Sequence, residues 1–258
     1  MRILLCIIIF ACIPFCLDAQ FPNTKKKFDF EQYPTIEYKE YSKWKRHNKE
    51  LQDGDQRIFT SLLFNDFYEK GDSIKILLSY DYTNQKRSMR PSISIFKNKK
   101  LINTFYEDVV LFGPYLEPLV VADFNGDGLM DIKIRVCYIG SGLGWNSRII
   151  YLFQQQNQRF KKISFDDWQF PNRPERDFNG DGNFEIITMD LVWHDHHNYW
   201  TFNLYNYVDG KLKNVNDIAD YPIMIQYTNL YNRTITKRLT RKQMKRYSRK
   251  VPPEFTAK

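Results

Sequence analysis

The chain has 258 residues, with 38 Lys and Arg against 30 Asp and Glu and a formal charge of +8. Its 17 Tyr and 20 Phe, with few Gly and Pro, suit packed strands and exclude an intrinsically disordered chain. Eight Lys and Arg and no acid lie between Lys237 and Lys250, while Gln20 to Thr236 sums to zero, so the basic character reads as a tail and not as a nucleic-acid-binding face.

At the start, Arg2, the apolar run Ile3 to Phe15 and the small residue Ala19 outline a secretory signal peptide over 1–19, with Gln20 as the mature start. The apolar run of 13 residues is shorter than the roughly 20 a membrane-crossing helix needs. No later segment is apolar enough to span, so no transmembrane segment is expected. A lipoprotein signal is not matched: Phe15 precedes Cys16, and Cys12 would leave an unusually short leader. The expected location is therefore secreted or periplasmic. Cys6, Cys12 and Cys16 fall in the leader and only Cys137 remains, which rules out an intramolecular disulfide. Stability must then come from a core or from bound metal.

Residues 20–56 read as a partly irregular N-terminal extension, with helical periodicity around Tyr38 to Leu51. From Arg57 the chain reads as short strands separated by turn residues: Ile58 to Phe64, Ser73 to Tyr82, Ser92 to Phe96, Leu101 to Phe105, Leu119 to Ala122 and Ile132 to Tyr138. They continue as Arg148 to Phe153, Phe160 to Phe165, Phe184 to Leu191, Tyr199 to Tyr207 and Leu212 to Val215. The fold class is all-β over 57–236, followed by a basic tail, 237–258, expected to be mostly solvated.

The chain repeats itself. A shift of 54 lays DFNGDG at Asp123 to Gly128 over the identical DFNGDG at Asp177 to Gly182, and Asp131-Ile132 over Glu185-Ile186. A shift of 52 lays the hairpin Tyr151 to Ile163 over Asn203 to Val215, so the change falls in the loop between. One unit is an acidic loop, a strand, a variable loop and a hairpin. Upstream lies either a degenerate third copy or an ordinary unrelated hairpin: Asn65 to Ile76 resembles Ala122 to Ile134, and Ser92 to Ile102 would supply the hairpin. There Tyr68 and Lys70 replace Asn125 and Asp127, so this copy keeps the scaffold and should hold no metal.

Each acidic loop, 123–131 and 177–185, sets oxygen donors at alternate positions: Asp123, Asn125, Asp127 and Asp131 in the first, Asp177, Asn179, Asp181 and Glu185 in the second. Calcium takes six to eight oxygens, and a tightly curled loop supplies them with one backbone carbonyl, here from Leu129 and Asn183. Gly128 and Gly182 fit the sharp turn. Oxygen donors without Cys or His favour calcium over zinc or copper, and magnesium's strict octahedron suits the loop less well. The alternative is a bare Asp-Gly turn between strands, which needs no acids at positions 1, 5 and 9. A helix-loop-helix site is disfavoured because Ile134 and Thr188 stand where a bidentate acid would be.

DFNGDGLMD and DFNGDGNFE, each followed by an apolar strand, resemble the calcium loops of FG-GAP and VCBS repeat proteins, the group that includes integrin α-subunit propellers. The resemblance covers Asp123 to Asp217, extending from Asn65 if the third copy counts. It implies a propeller-like or open propeller-related repeat of antiparallel strands with two calcium ions, carried over onto Asp123, Asn125, Asp127 and Asp131 and onto Asp177, Asn179, Asp181 and Glu185. Two clear copies and one weak one are too few to close a usual propeller.

Two further motifs stand out in the sequence. WHDHH holds His194, His196 and His197 around Asp195, and alternation would put His194 and His196 on one side where a metal could bind; its place in a variable loop makes it a partner-binding rim instead. Gly140, Gly142 and Gly144 are not followed by the Lys-Ser or helix of a phosphate cradle. No nucleophile elbow or HExxH is present, and Asp166-Asp167 reads as a solvated turn. The expected function is an exported calcium-binding interaction module with a protein or glycan partner of the cell envelope or exterior. The alternatives are a periplasmic inhibitor or immunity-type partner of an exported hydrolase, and a calcium-dependent polysaccharide hydrolase.

Overall fold

The computed structural model describes residues 27–50, 56–82, 90–108, 117–141, 144–168, 172–228 and 232–258. The leader, Gln20 and the three leader cysteines lie outside the described residues, as do Gly142 and Leu143 of the glycine-rich loop.

The fold is all-β, and its three antiparallel sheets each remain open. The first is built from β2 (Lys45–Glu50), β3 (Gln56–Asn65), β4 (Ser73–Tyr82), β5 (Ser92–Lys97) and β6 (Lys100–Tyr106), in that order. The second runs β1 (Lys39–Tyr41), β7 (Leu119–Ala122), β8 (Asp131–Ser141), β9 (Gly144–Gln154), β10 (Phe160–Trp168) and β15 (Thr256–Ala257). The third runs β11 (Ile186–His194), β12 (His197–Val208) and β13 (Lys211–Asn214), with β14 (Ile223–Gln226) also paired to β12. Each of the eleven strands expected from the sequence has a counterpart, with ends differing by at most four residues.

The repeat is visible as topology. β7, acidic loop, β8, β9 and β10 correspond to the Arg176 bridge, acidic loop, β11, β12 and β13. β3, loop, β4, β5 and β6 form a third unit with the same path, its loop one residue shorter between paired ends, Asn65 with Ser73 against Ala122 with Asp131. The sheets stack because the middle one is apolar on both faces. Ile132, Ile134, Val136, Ile150 and Leu152 pack with Leu62, Ile74, Ile76 and Ile93 of the first sheet. Ile149, Tyr151, Phe153 and Phe165 pack with Ile186 and Tyr205 of the third. The far face of the third sheet is closed by Phe28, Phe30, Tyr221 and Ile223 around Phe202.

The N-terminal extension departs from its expected helix. Thr35 bridges to Arg176, β1 pairs with β7, and β2 pairs with β3, so one segment serves the edge of all three repeat units in turn. Unpaired edge N–H and C=O groups of three sheets outweigh a weak helical periodicity. The C-terminal segment also differs from the solvated tail expected of it. Leu239 and Met244 are buried with Tyr199 and Met224, and α1 (Arg241–Lys245) is capped by Thr240. Arg241 and Lys245 pair with Asp220 and Asp217, Arg249 pairs with Asp190, and β15 finishes the outer edge of the second sheet. Among the described residues no helix is long and apolar enough to cross a membrane.

Candidate metal centre

The two acidic loops lie in the same place in successive units and share one bonding scheme. Position 2 is an apolar anchor: Phe124 and Phe178 are buried, and their N–H groups donate to the acids at position 9, Asp131 Oδ2 at 3.2 Å and Glu185 Oε2 at 2.8 Å. Position 1 gathers the curl: Asp123 accepts from the N–H groups of Asp127 and Gly128, Asp177 from those of Gly180 and Gly182. Position 5 holds the exit, with Asp127 accepting from Leu129 N–H and Asp181 from Asn183 N–H, both at 2.8 Å. Asn125 and Asn179 each donate their side-chain amide to the position-5 carboxylate. A carboxylate oxygen has two lone pairs, so an oxygen that accepts one N–H still has one to offer a cation. These bonds set the loop's curl and do not spend its ligand capacity.

Burial separates position 9 from the rest. Asp131 and Glu185 are fully buried at the foot of their loops, while the carboxylates of positions 1 and 5 lie toward solvent. Burial pushes the Asp131 carboxyl up to about 8; the Gln154 and Phe124 N–H groups oppose the rise, and Asp127 and Asp123 add to it. Glu185 is raised for the same leading reason, desolvation, with Asp181 and Asp177 contributing. A group forced upward by burial and by like charges is one a divalent cation would relieve.

The second loop carries the stronger mark of a ligand. Glu185 Oε1, Asn183 Oδ1 and Asn206 Oδ1 are all buried and, among the described residues, accept no hydrogen bond. In the first unit the equivalent of Asn206 is Gln154, whose backbone N–H satisfies Asp131 Oδ1 at 2.8 Å. The extra methylene of Glu185 forgoes that bond, although the Asn206 amide lies close enough to favour its ionised form. A buried acceptor left unmade costs about 1–3 kcal/mol, and an oxygen-seeking cation would satisfy these atoms. The donor chemistry of both loops thus fits calcium. Among the described residues no three His, Cys, Asp or Glu side chains stand as a ready-made metal cage; the carboxylates are shared among the loops' own N–H groups.

The two loops touch. Phe184 N–H donates to Phe124 O at 3.3 Å, and a Cβ placed on Gly126 would stand 2.9 Å from Gly182 O. Gly126 has φ +69, and so carries both a left-handed backbone and a backbone neighbour; Gly180, at φ +77, faces open space. The left-handed backbone costs an alanine about 1–2 kcal/mol at either position. Gly126→Ala should therefore lose clearly more stability in urea unfolding than Gly180→Ala, and equal losses would show that contact between the loops carries no weight.

The third, degenerate loop keeps the scaffold with different residues. Gly71 N–H donates to Asp66 at 2.7 Å, as Gly128 N–H does to Asp123, and Phe67 N–H donates to Asp72 at 2.9 Å, as Phe124 N–H does to Asp131. Beside it stands a cation of the chain itself. Lys97 Nζ lies 3.7 Å from Glu69, 3.9 Å from Asp72 and 4.5 Å from the centre of the Tyr68 ring.

No family model, curated protein or solved structure matches the chain. The functional reading therefore rests on the residues alone.

The other features singled out in the sequence are placed differently. His194 and His197 are paired across β11 and β12, and Asp195 and His196 form the turn, both at positive φ. His194 meets the Tyr247 hydroxyl at 2.8 Å and His197 meets Arg238 at 2.9 Å, so the expected same-side placement of His194 and His196 gives way to a hairpin end bonded to the C-terminal segment. Asp166-Asp167 is no solvated turn. Both belong to β10, and Asp167 is buried in an ion pair with Arg173 at 2.7 Å.

A buried network between the second and third sheets had no motif to announce it. Glu175 takes hydrogen bonds from the hydroxyls of Tyr38 and Tyr151 and pairs with Lys133 at 2.5 Å. Burial works to raise the Glu175 carboxyl, but Lys133 and the two hydroxyls outweigh it and hold it below its ordinary value. The available signal was Ile132-Lys133-Ile134-Arg135-Val136, cations alternating with apolar residues in a strand buried on both faces.

Proposed function

We propose that this chain is an exported calcium-binding β-repeat protein of FG-GAP or VCBS type, propeller-related in architecture, in which two ions staple consecutive units and the exposed surfaces bind a partner of the envelope or exterior. The observation that carries the reading is that Glu185 Oε1, Asn183 Oδ1 and Asn206 Oδ1 are buried and, among the described residues, have no hydrogen-bond partner. The first loop supports it by repeating three N–H to carboxylate bonds of the second: the N–H groups of Phe124, Gly128 and Leu129 meet Asp131, Asp123 and Asp127 as those of Phe178, Gly182 and Asn183 meet Glu185, Asp177 and Asp181. Asp123, Asn125, Asp127, Asp131 and the Leu129 carbonyl would hold one ion; Asp177, Asn179, Asp181, Glu185 and the Asn183 carbonyl would hold the other.

Calcium titration of chelator-stripped protein by calorimetry tests this directly. Two equivalents are expected for the parent chain and one for each of Asp127→Ala and Asp181→Ala, since each change removes an anionic ligand from one loop only. A parent protein that takes up no calcium would end the reading.

A further inference from the structure

The outer face of the first sheet is arranged unlike any other surface here. Its middle rows can be read across β3, β4, β5 and β6 from the strand registers: Leu63, Lys75, Phe96 and Leu101 in one row, then Ser61, Leu77, Ser94 and Thr104, then Phe59, Ser79, Ser92 and Tyr106. β2 extends the last two rows with Lys45 and His47 and adds Lys49 beside Arg57. Leu63 is 64% exposed, Leu101 51% and Tyr106 49%. Phe59, Leu77 and Phe96 are half-buried. Among the described residues no buried cluster forms on this face, whereas the opposite face of the same strands builds the largest core.

Charge on the face is one-sided. Lys45, Lys49, Arg57 and Lys75 point the same way, and Lys99 stands at the turn beside Leu63, Lys75 and Phe96. Among the residues of β3, β4, β5 and β6 whose side chains are described, none on this side is acidic, and the register sets Asp81 opposite Arg57 at the far end. A near-zero charge for the chain body thus conceals a segregated surface, and the sequence reading that confined basic character to the C-terminal segment misses it.

We propose that this face docks on an anionic lipid surface. The cations require a negative partner, and lysines carry flexible point charges that suit a fluid array of headgroup phosphates better than one fixed bidentate ligand. The exposed leucines decide between lipid and a soluble polyanion. Leu63 and Leu101 neither stack on sugar rings nor hydrogen-bond, but flank Lys75 and Phe96 in a single row that can enter the headgroup boundary while the lysine stems reach back to the phosphates. This names a partner for the interaction protein proposed above and rests on that reading only for the compartment; the first unit's loop, with Lys97 beside it, is the one that lacks the calcium ligand set.

The test is co-sedimentation with vesicles, using protein recovered from an exporting host and its N-terminus read by intact mass. Vesicles of phosphatidylcholine mixed with anionic phosphatidylglycerol are compared with phosphatidylcholine alone. Binding is expected on the anionic vesicles and at least about tenfold weaker on the neutral ones, falling further in high salt. Lys45→Ala with Lys75→Ala should weaken it about thirtyfold, taking about fivefold per lysine. Leu63→Ser with Leu101→Ser should weaken it about tenfold through lost apolar insertion. All four side chains lie on the outer face, away from the core, so melting curves of both variants should match the parent.

No binding to anionic vesicles, or equal binding by the parent and both variants, would overturn the proposal. So would heparin binding lost in the lysine variant with vesicles left unbound, which would assign the face to a soluble polyanion. Calcium titration of the same preparations reports on the loops separately, so either reading can fail without hiding the other.

Discussion

Stripping calcium at neutral pH should lower the melting temperature by about 10–20 °C. An ion that binds only the folded chain stabilises it by about 2.7 kcal/mol at a hundredfold excess over Kd, so two sites contribute roughly twice that, and each kcal/mol shifts melting by about 2–4 °C in a chain of this size. The effect should be global because the loops are tied into the core at both ends. Phe124 and Phe178 are buried among different clusters, Asp131 opens β8, and Glu185, bridged to Arg176, directly precedes β11. The loops also meet each other through Gly126 and Gly182 and the Phe184 to Phe124 bond, so loosening one disturbs the seam between the second and third sheets. Asp127→Ala combined with Asp181→Ala should melt low and be indifferent to added calcium. An unchanged melting curve in chelator, on protein shown to be calcium-loaded at the start, would mean the ions are incidental to stability.

Strands were legible where one physical signal dominated. β4 runs Ser73 to Tyr82 as read, because β-branched and aromatic residues at period two have few alternatives between turn residues, and β7 runs Leu119 to Ala122 as read from a short continuous apolar run. The loops were legible from position-by-position identity, and their bonds repeat because the residues repeat. What escaped was set by distant partners. Tyr38 to Leu51 has a helical rhythm, but Lys39–Tyr41 and Lys45–Glu50 are strands since β1 covers a remote edge, Glu40 opposite Val120, and β2 folds back on β3, from Glu50 opposite Gln56 to Lys45 opposite Ser61. Asp167 looked solvated until Arg173, beyond the end of β10, is seen to fold back over it. Leu239 and Met244 are too irregularly spaced to mark a face, yet one short helical turn seats both against Tyr199 and Met224. Net charge sums over space, so the basic face of the first sheet has no counterpart in the composition.

Glu175→Ala should destabilise the fold by about 3–5 kcal/mol at pH 7, the range for breaking a buried ion pair from one side. The change strands Lys133, which is 8% exposed on its side chain and whose own pKa is already lowered, chiefly by burial. It also leaves the hydroxyls of Tyr38 and Tyr151 without their acceptor. Replacing both partners tests the cause. Glu175→Leu with Lys133→Met removes the stranded charge and should recover most of the loss, since apolar pairs of similar volume often replace buried ion pairs at little cost. The pH dependence has a definite sign. Glu175 sits below its ordinary value of 4.5 in the folded chain, so its contribution is fully present above that value and is lost as pH falls through the lower, folded one. Urea unfolding between pH 7 and pH 3 should show the parent losing stability in acid more steeply than the apolar double variant. If Glu175→Ala costs less than about 1 kcal/mol, or if the paired change is no better than the single one, the network does not hold the second and third sheets together.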